Sequence, residues 1–212
     1  GEREPSPPPA PPAAAVREAA DLLGDATAPV VLAGGGVRRA DAGDALRSVA
    51  EGLGAPVVTT YKGKGTLPET HQLSAGVLCG GASAELRGLL ADADVGLVVG
   101  SDLDAVATAS WSVAIPETLI HVTLDGDDVG FGYEADLGVV ADADRFLRAL
   151  TDRLDDEGVA PRGADGAERA ESVRAADRER FAALSEQSAD GSGKSTADDR
   201  EERPLRSVEA LS

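Results

Sequence analysis

Pro29-Val30-Val31-Leu32-Ala33-Gly34-Gly35-Gly36-Val37 is followed, after one amphipathic stretch, by Ala55-Pro56-Val57-Val58-Thr59-Thr60-Tyr61-Lys62-Gly63-Lys64-Gly65. Two short apolar runs, 29–33 and 56–60, each end in a small-residue loop. A parallel strand covered by helices on both faces is apolar along its whole length. A Gly-rich turn at its carboxyl end lets a ligand approach the backbone. The stretch therefore reads as one βαβ unit. Its helix is expected from Asp41 to Leu53, with Leu46, Val49, Ala50 and Leu53 buried and Gly54 as its stop.

The same alternation extends in both directions. A helix is expected over 13–23, with Val16, Ala19, Ala20 and Leu23 on one face. Residues 61–82 read as a long irregular stretch, a length at which loops are usually functional. A helix at 83–91, a strand at 95–99 ending in Gly100-Ser101-Asp102, and a strand at 119–124 ending in Asp125 come next. A short strand at 137–140 and a helix at 143–154 close the series, the latter with Phe146, Leu147, Leu150 and Leu154 inward. Residues 103–117 are ambiguous, with Trp111 expected against the sheet. The fold class is α/β: a doubly wound, mostly parallel six-stranded sheet of Rossmann-like nucleotide-binding topology, five of whose strands are located here. The strand ends at Gly34, Thr60, Gly100, Asp125 and Asp142 would line one rim, where open α/β sheets bind ligands.

The flanks differ. Residues 1–12 hold six prolines and read as a linker. Residues 155–203 read as a charged linker, with a thinly striped helix at 165–187 that would lie on a surface or against a missing partner. Residues 204–212 resemble the start of a further domain cut short. The central domain is thus expected over 13–154.

Net charge is −18 over 212 residues, and lysine occurs only at Lys62, Lys64 and Lys194. Dispersed acid of this kind suits a hydrated surface in high salt, where screening relieves self-repulsion. It argues against nucleic acid as a partner. No apolar run approaches the ~20 residues that span a bilayer. A lone cysteine, Cys79, rules out an internal disulfide and fits a reducing, cytoplasmic compartment.

Individual motifs are weak. Gly34-Gly35-Gly36 falls short of G-x-G-x-x-G, because Arg39 stands at the last position. A phosphate-holding turn and a plain tight turn remain equally open. Gly191 to Thr196 resembles the end of a P-loop but lies in polar, acidic sequence, so a flexible linker is expected. Asp125 to Asp136 half matches a calcium loop, with Val129 where an oxygen ligand is needed. His71 and His121 are the only histidines, which leaves no zinc cluster, and His121 is expected to be packed in a strand. Lys62 and Lys64 flank a strand end, where they would meet phosphate or carboxylate or simply face solvent.

Together these pieces resemble the central domain of thiamine-diphosphate-dependent enzymes of the acetolactate synthase and 2-keto acid decarboxylase type. Carrying the resemblance are Ala28 to Val37, Ala55 to Thr60 with Gly63-Lys64-Gly65, Pro68 to Leu73 with Gly76, Ala93 to Gly100, and Ile120 through Asp125 to Asp142. The resemblance implies a parent with flanking pyrimidine- and diphosphate-binding domains, assembled as a homodimer or homotetramer and using thiamine diphosphate and magnesium. This chain has no Gly-Asp-Gly and no asparagine, so the resemblance implies a middle domain without catalytic residues of its own. In synthases that domain holds FAD; in some relatives it holds ADP or nothing. By resemblance Gly34, Gly36, Thr60, Gly100 and Asp142 match the groove. Gly35, Lys62, Gly63, Lys64, Ser101 and Asp125 stand beside them in the strand-end loops and complete the candidate set. The synthase arginine of Gly-x-Arg-Phe-Asp has no counterpart in Gly100-Ser101-Asp102-Leu103-Asp104, which leaves FAD, ADP and an empty groove open. The other reading is a free-standing NAD- or ADP-binding module.

Overall fold

The computed structural model describes residues 7–158 and 165–190. The expectations for residues 1–6, for the P-loop-like Gly191 to Thr196 and for 204–212 lie outside the described residues. The chain divides into two compact units, Gly1–Asp177 and Arg178–Ser212.

The first unit is an α/β sandwich of three layers. In chain order its elements are α1 (Ala13–Asp25), β1 (Val30–Ala33), α2 (Gly35–Arg39), α3 (Gly43–Leu53), β2 (Val57–Thr60) and β3 (Ser74–Leu78). Then follow α4 (Ala84–Ala91), β4 (Val95–Val99), β5 (Thr118–Thr123), β6 (Leu137–Val140), α5 (Ala143–Asp156) and α6 (Gly166–Asp190), which runs on into the second unit. The sheet order is β3-β2-β1-β4-β5-β6, and every neighbouring pair is parallel. All six strands are therefore parallel, where a mostly parallel sheet was expected. Strand order reverses between β1 and β4, which is the topological switch point.

Apolar runs dictate the layering. Val31, Leu97, Val99, Ile120 and Val122 face one side, with α1, α3 and α5 packed over them. Val30, Leu32, Val58, Val98 and Leu119 face the other side, toward α4, Leu103, Val113 and the start of α6. Burying one such aliphatic side chain fully contributes about 1.5–3 kcal/mol. The caps are local. Ser83 accepts from Leu86 N–H at the start of α4, and Asp142 accepts from Arg145 N–H at the start of α5. Gly54 ends α3 at φ 63°, a left-handed C-cap that glycine adopts without strain.

Four expectations change. Residues 61–82 are not irregular throughout, since β3 lies inside them. Its register shifts against β2 at Val57/Val58, and Gly76 sits at φ 110°. That irregularity erases the period-two pattern by which strands are read. Helix α3 starts at Gly43, because Asp41 sits at φ 52°. Trp111 does not cover the sheet; it is 42% exposed, lies at φ 57° and meets the Phe131 ring edge-on at 6.0 Å. Finally, the charged helix after residue 165 is not wholly superficial. Ala170 and Val173 are buried, and Arg174 Nη1 donates to the carbonyls of His71, Gln72 and Ser74 beside β3.

In the second unit, α6 continues from Arg178 with Phe181 and Leu184 exposed. No helix among the described residues is long and apolar enough to cross a membrane.

Candidate functional site

The carboxyl ends of β1, β2, β4, β5 and β6 open onto one cleft of about 340 Å³. Its centre is the switch point, where three glycines let two loops touch. Gly34 N–H donates to Val99 O and Gly36 N–H to Gly100 O, both at 2.8 Å. A Cβ on Gly34 would fall 2.2 Å from Gly100 O, and one on Gly36 would fall 2.6 Å from Gly100 Cα. The Gly-rich turn thus closes loop on loop. Two of the amide groups expected to face phosphate are already bonded within the chain. Gly35 to Arg39 wind into α2 instead of an open loop.

His121 supports the next loop from below. It is buried at 2% exposure, and its Nε2–H donates to Ser101 O at 2.7 Å. Nδ1 has no hydrogen-bond partner among the described residues. Ser101 Oγ in turn accepts from Leu103 N–H, a residue held at φ 47°. The expected packed histidine is thus a brace under the loop after β4.

Charge in the cleft is mixed. Arg38 and Arg39, in the last turn of α2, and Lys62, after β2, supply cations. Asp102, Asp104, Asp125 and Asp128 supply carboxylates. Lys62 Nζ lies 3.3 Å from Asp104 Oδ2, and Tyr61 OH donates to the same oxygen at 3.3 Å. Hydrogen bonding to Tyr61 and then Asp104 raises the Lys62 pKa above the usual lysine value. Burial acts to raise the Asp104 pKa, but the Ala107 N–H and Lys62 outweigh it and hold the carboxyl below its usual value. Among the described residues neither Arg38 nor Arg39 has an ion-pair partner.

Seven expected residues meet here: Gly35, Gly36, Thr60, Lys62, Gly100, Ser101 and Asp125 all line the cleft. Four stand outside its lining. Gly34 is consumed by its contact with Gly100, and a Cβ on Gly63 would strike Ala33 O at 2.2 Å. Lys64 pairs with Glu69 at 3.0 Å. Asp142 caps α5, and its N–H donates to Pro9 O. Sequence reasoning missed Arg38 and Arg39 as lining residues. Arg39 was noticed only as the residue that spoils the dinucleotide fingerprint, yet two adjacent arginines after a Gly-rich turn were the available signal. Asp104 was passed over because the ambiguous stretch 103–117 hid which way it turned.

Residues 16–150 match the protein family described as thiamine pyrophosphate enzyme, central domain. The chain is 35% identical over 136 residues to the acetolactate synthase large subunit of Corynebacterium glutamicum, covering 64% of this chain and 22% of that protein. It is 36% identical over 154 residues to a sulfoacetaldehyde acetyltransferase of Rhodobacter capsulatus, covering 70% of this chain and 26% of that one. Among solved structures, benzoylformate decarboxylase from Polynucleobacter necessarius superposes with a TM-score of 0.60 at 25% identity, over 71% of this chain and 29% of that one. The chain therefore spans about a quarter of the length of the relatives it matches. The all-parallel sheet, the switch-point cleft and the match over residues 16–150 agree: the chain belongs to the family of thiamine pyrophosphate enzyme central domains.

Proposed function

We propose that this chain is the positioning domain of a larger thiamine-diphosphate-dependent enzyme of the acetolactate synthase type, and that its cleft takes the phosphates of a nucleotide such as ADP or the ADP portion of FAD. The observation that carries the nucleotide reading is the cleft at the β1/β4 switch point, lined by a lysine and by two arginines without an ion-pair partner among the described residues. Its size falls within the range of small-molecule sites. Arg38 and Arg39 would meet phosphate oxygens, to which guanidinium donates bidentately. Asp125 and Asp128 would accept from sugar hydroxyls, and the exposed Leu124 would supply an apolar wall. The NAD alternative is not adopted, because Arg39 occupies the third glycine position of that fingerprint.

The parent would decarboxylate a 2-keto acid and pass on the resulting carbanion, as lyase or transferase, in a cytoplasmic homodimer or homotetramer with magnesium and flanking pyrimidine- and diphosphate-binding domains. Thiamine diphosphate, when bound in the parent, supplies the carbanion-stabilising chemistry. Among the described residues no three His, Cys, Asp or Glu side chains gather as a metal-holding group, and magnesium and the thiamine diphosphate belong, in this reading, to the flanking domains of the parent. No catalytic step is assigned to its residues; they hold, orient and space.

Incubating the chain with pyruvate, thiamine diphosphate and magnesium should release no carbon dioxide. Steady turnover would overturn the positioning role. Calorimetric titration with ADP tests the cleft, and binding of NAD but not ADP would overturn the nucleotide assignment.

A further inference from the structure

Because β1 lies between β2 and β4 in the sheet, a bridge from the loop after β2 to the loop after β4 must arch over the end of β1. Lys62 and Asp104 make such a bridge, at 3.3 Å. Both ends are anchored. Asp104 Oδ1 accepts from Ala107 N–H at 2.7 Å, which leaves Oδ2 to face Lys62 and Tyr61. The Lys62 stem lies against Gly35, where a Cβ would come within 2.9 Å of Lys62 Cβ. Its ammonium sits 5.3 Å from the Tyr61 ring centroid. Both charged residues line the cleft, and their side chains are 52% and 27% exposed. A pair this accessible is weak and exchanges its partner readily.

We propose that Lys62 and Asp104 form a clasp over the switch-point crevice, and that an anionic group entering the cleft opens it by taking Lys62 from Asp104. The proposal rests on the nucleotide reading for its ligand but not for the clasp itself. Closed, the clasp neutralises the lysine and sets a carboxylate in the path of a phosphate. Open, Lys62 joins Arg38 and Arg39 as a third cation. Asp104 is thereby a specificity-determining residue that opposes anions until it is displaced. The arrangement also makes entry salt-sensitive in two opposing ways, since salt screens both the clasp and the phosphate contacts.

The test uses the full chain and the variants Asp104→Asn, Lys62→Gln and the two combined. Asn retains an oxygen for Ala107 N–H while removing the charge. Without ligand, acylation of Lys62 is measured against Lys64, whose own pairing with Glu69 is untouched. Asp104→Asn should raise that ratio about two- to fivefold. Inorganic pyrophosphate is then titrated by calorimetry. Asp104→Asn should bind it about three- to tenfold more tightly, Lys62→Gln more weakly, and the double variant should show no gain from the Asn. An unchanged labelling ratio overturns the clasp, whatever binds. A changed ratio with wild-type binding but no tightening overturns the displacement alone. A changed ratio with no pyrophosphate bound by any protein overturns the displacement together with the nucleotide reading.

Discussion

Gly36 and Gly100 meet backbone to backbone: the Gly36 N–H donates to the Gly100 carbonyl at 2.8 Å, and a Cβ on Gly100 would lie 2.7 Å from Gly36 Cα. Gly100 also sits at φ 63°. This contact joins the loops after β1 and β4, and so fixes the floor of the cleft. Gly100→Ala should cost about 2–4 kcal/mol, combining the left-handed penalty with overpacking against backbone that cannot yield. Gly52→Ala, in α3 with nothing within 4 Å of its would-be Cβ, should instead stabilise by about 0.5–1 kcal/mol. Urea denaturation of both variants checks the contrast. Equal effects would mean that the close approach does not hold.

Asp94 ties the start of β4 to the start of β1. Its carboxylate accepts from Thr27 N–H at 2.6 Å, Thr27 Oγ1 at 2.7 Å and Ala28 N–H at 2.9 Å. Burial acts to raise its pKa, but these donors outweigh that and hold it below the usual aspartate value. A depressed folded-state pKa contributes stability above the unfolded value and loses it as pH falls through the folded one. Asp94→Ala should therefore destabilise the chain by about 1.5–3 kcal/mol at pH 7. The gap between variant and wild type should close as pH drops below about 4. Melting curves from pH 7 to pH 2.5 measure it.

The first turns of α6 belong to the packing of the sheet. Arg174 bonds to three carbonyls beside β3, while Ala170 and Val173 fill the second core cluster. Arg174→Ala should cost about 1–2 kcal/mol, because the carbonyls of His71, Gln72 and the buried Ser74 lose a charged donor. Amide exchange should quicken in Ser74–Leu78 before it quickens in β4. A chain ending at residue 158 should be less stable still, as the cluster would lose both side chains. Unchanged exchange in β3 would contradict the stapling role.

With a net charge of −18, self-repulsion opposes compaction at low ionic strength and screening relieves it. The melting temperature should rise by several degrees between about 0.1 M and 2 M KCl. A flat or falling curve would contradict a salt-adapted surface.

The layered plan was legible because it rests on patterns that tertiary context seldom overrides. Val30–Ala33 and Val95–Val99 are apolar end to end, as strands covered on both faces must be. Leu46, Val49 and Leu53 repeat at helical spacing and are buried together. β3 was not legible, because the register shift and the positive φ at Gly76 break its alternation. Trp111 misled, since a large aromatic is usually inward, whereas here Ala109, Ser110 and Trp111 all adopt positive φ and turn it outward. At the cleft, Gly35, Gly36, Thr60 and Gly100 could be placed from sequence, because topology sets that rim, whereas Gly34 and Gly63 are taken up by close contacts with Gly100 and Ala33, and Asp142 by capping α5. The charged residues could not: Lys64 and Lys62 look alike in sequence, yet one turns to Glu69 and the other to Asp104. Side-chain direction in a loop depends on contacts from distant segments, which spacing does not encode.

Calorimetric titration of ADP into the intact chain at low ionic strength, repeated with Arg38→Ala and Arg39→Ala, tests the nucleotide cleft most directly. One equivalent of ADP should bind, and each arginine variant should weaken it about tenfold, the loss of one charge-assisted phosphate contact. Absence of binding, or binding that both arginine variants leave unchanged, would contradict the assignment of this cleft.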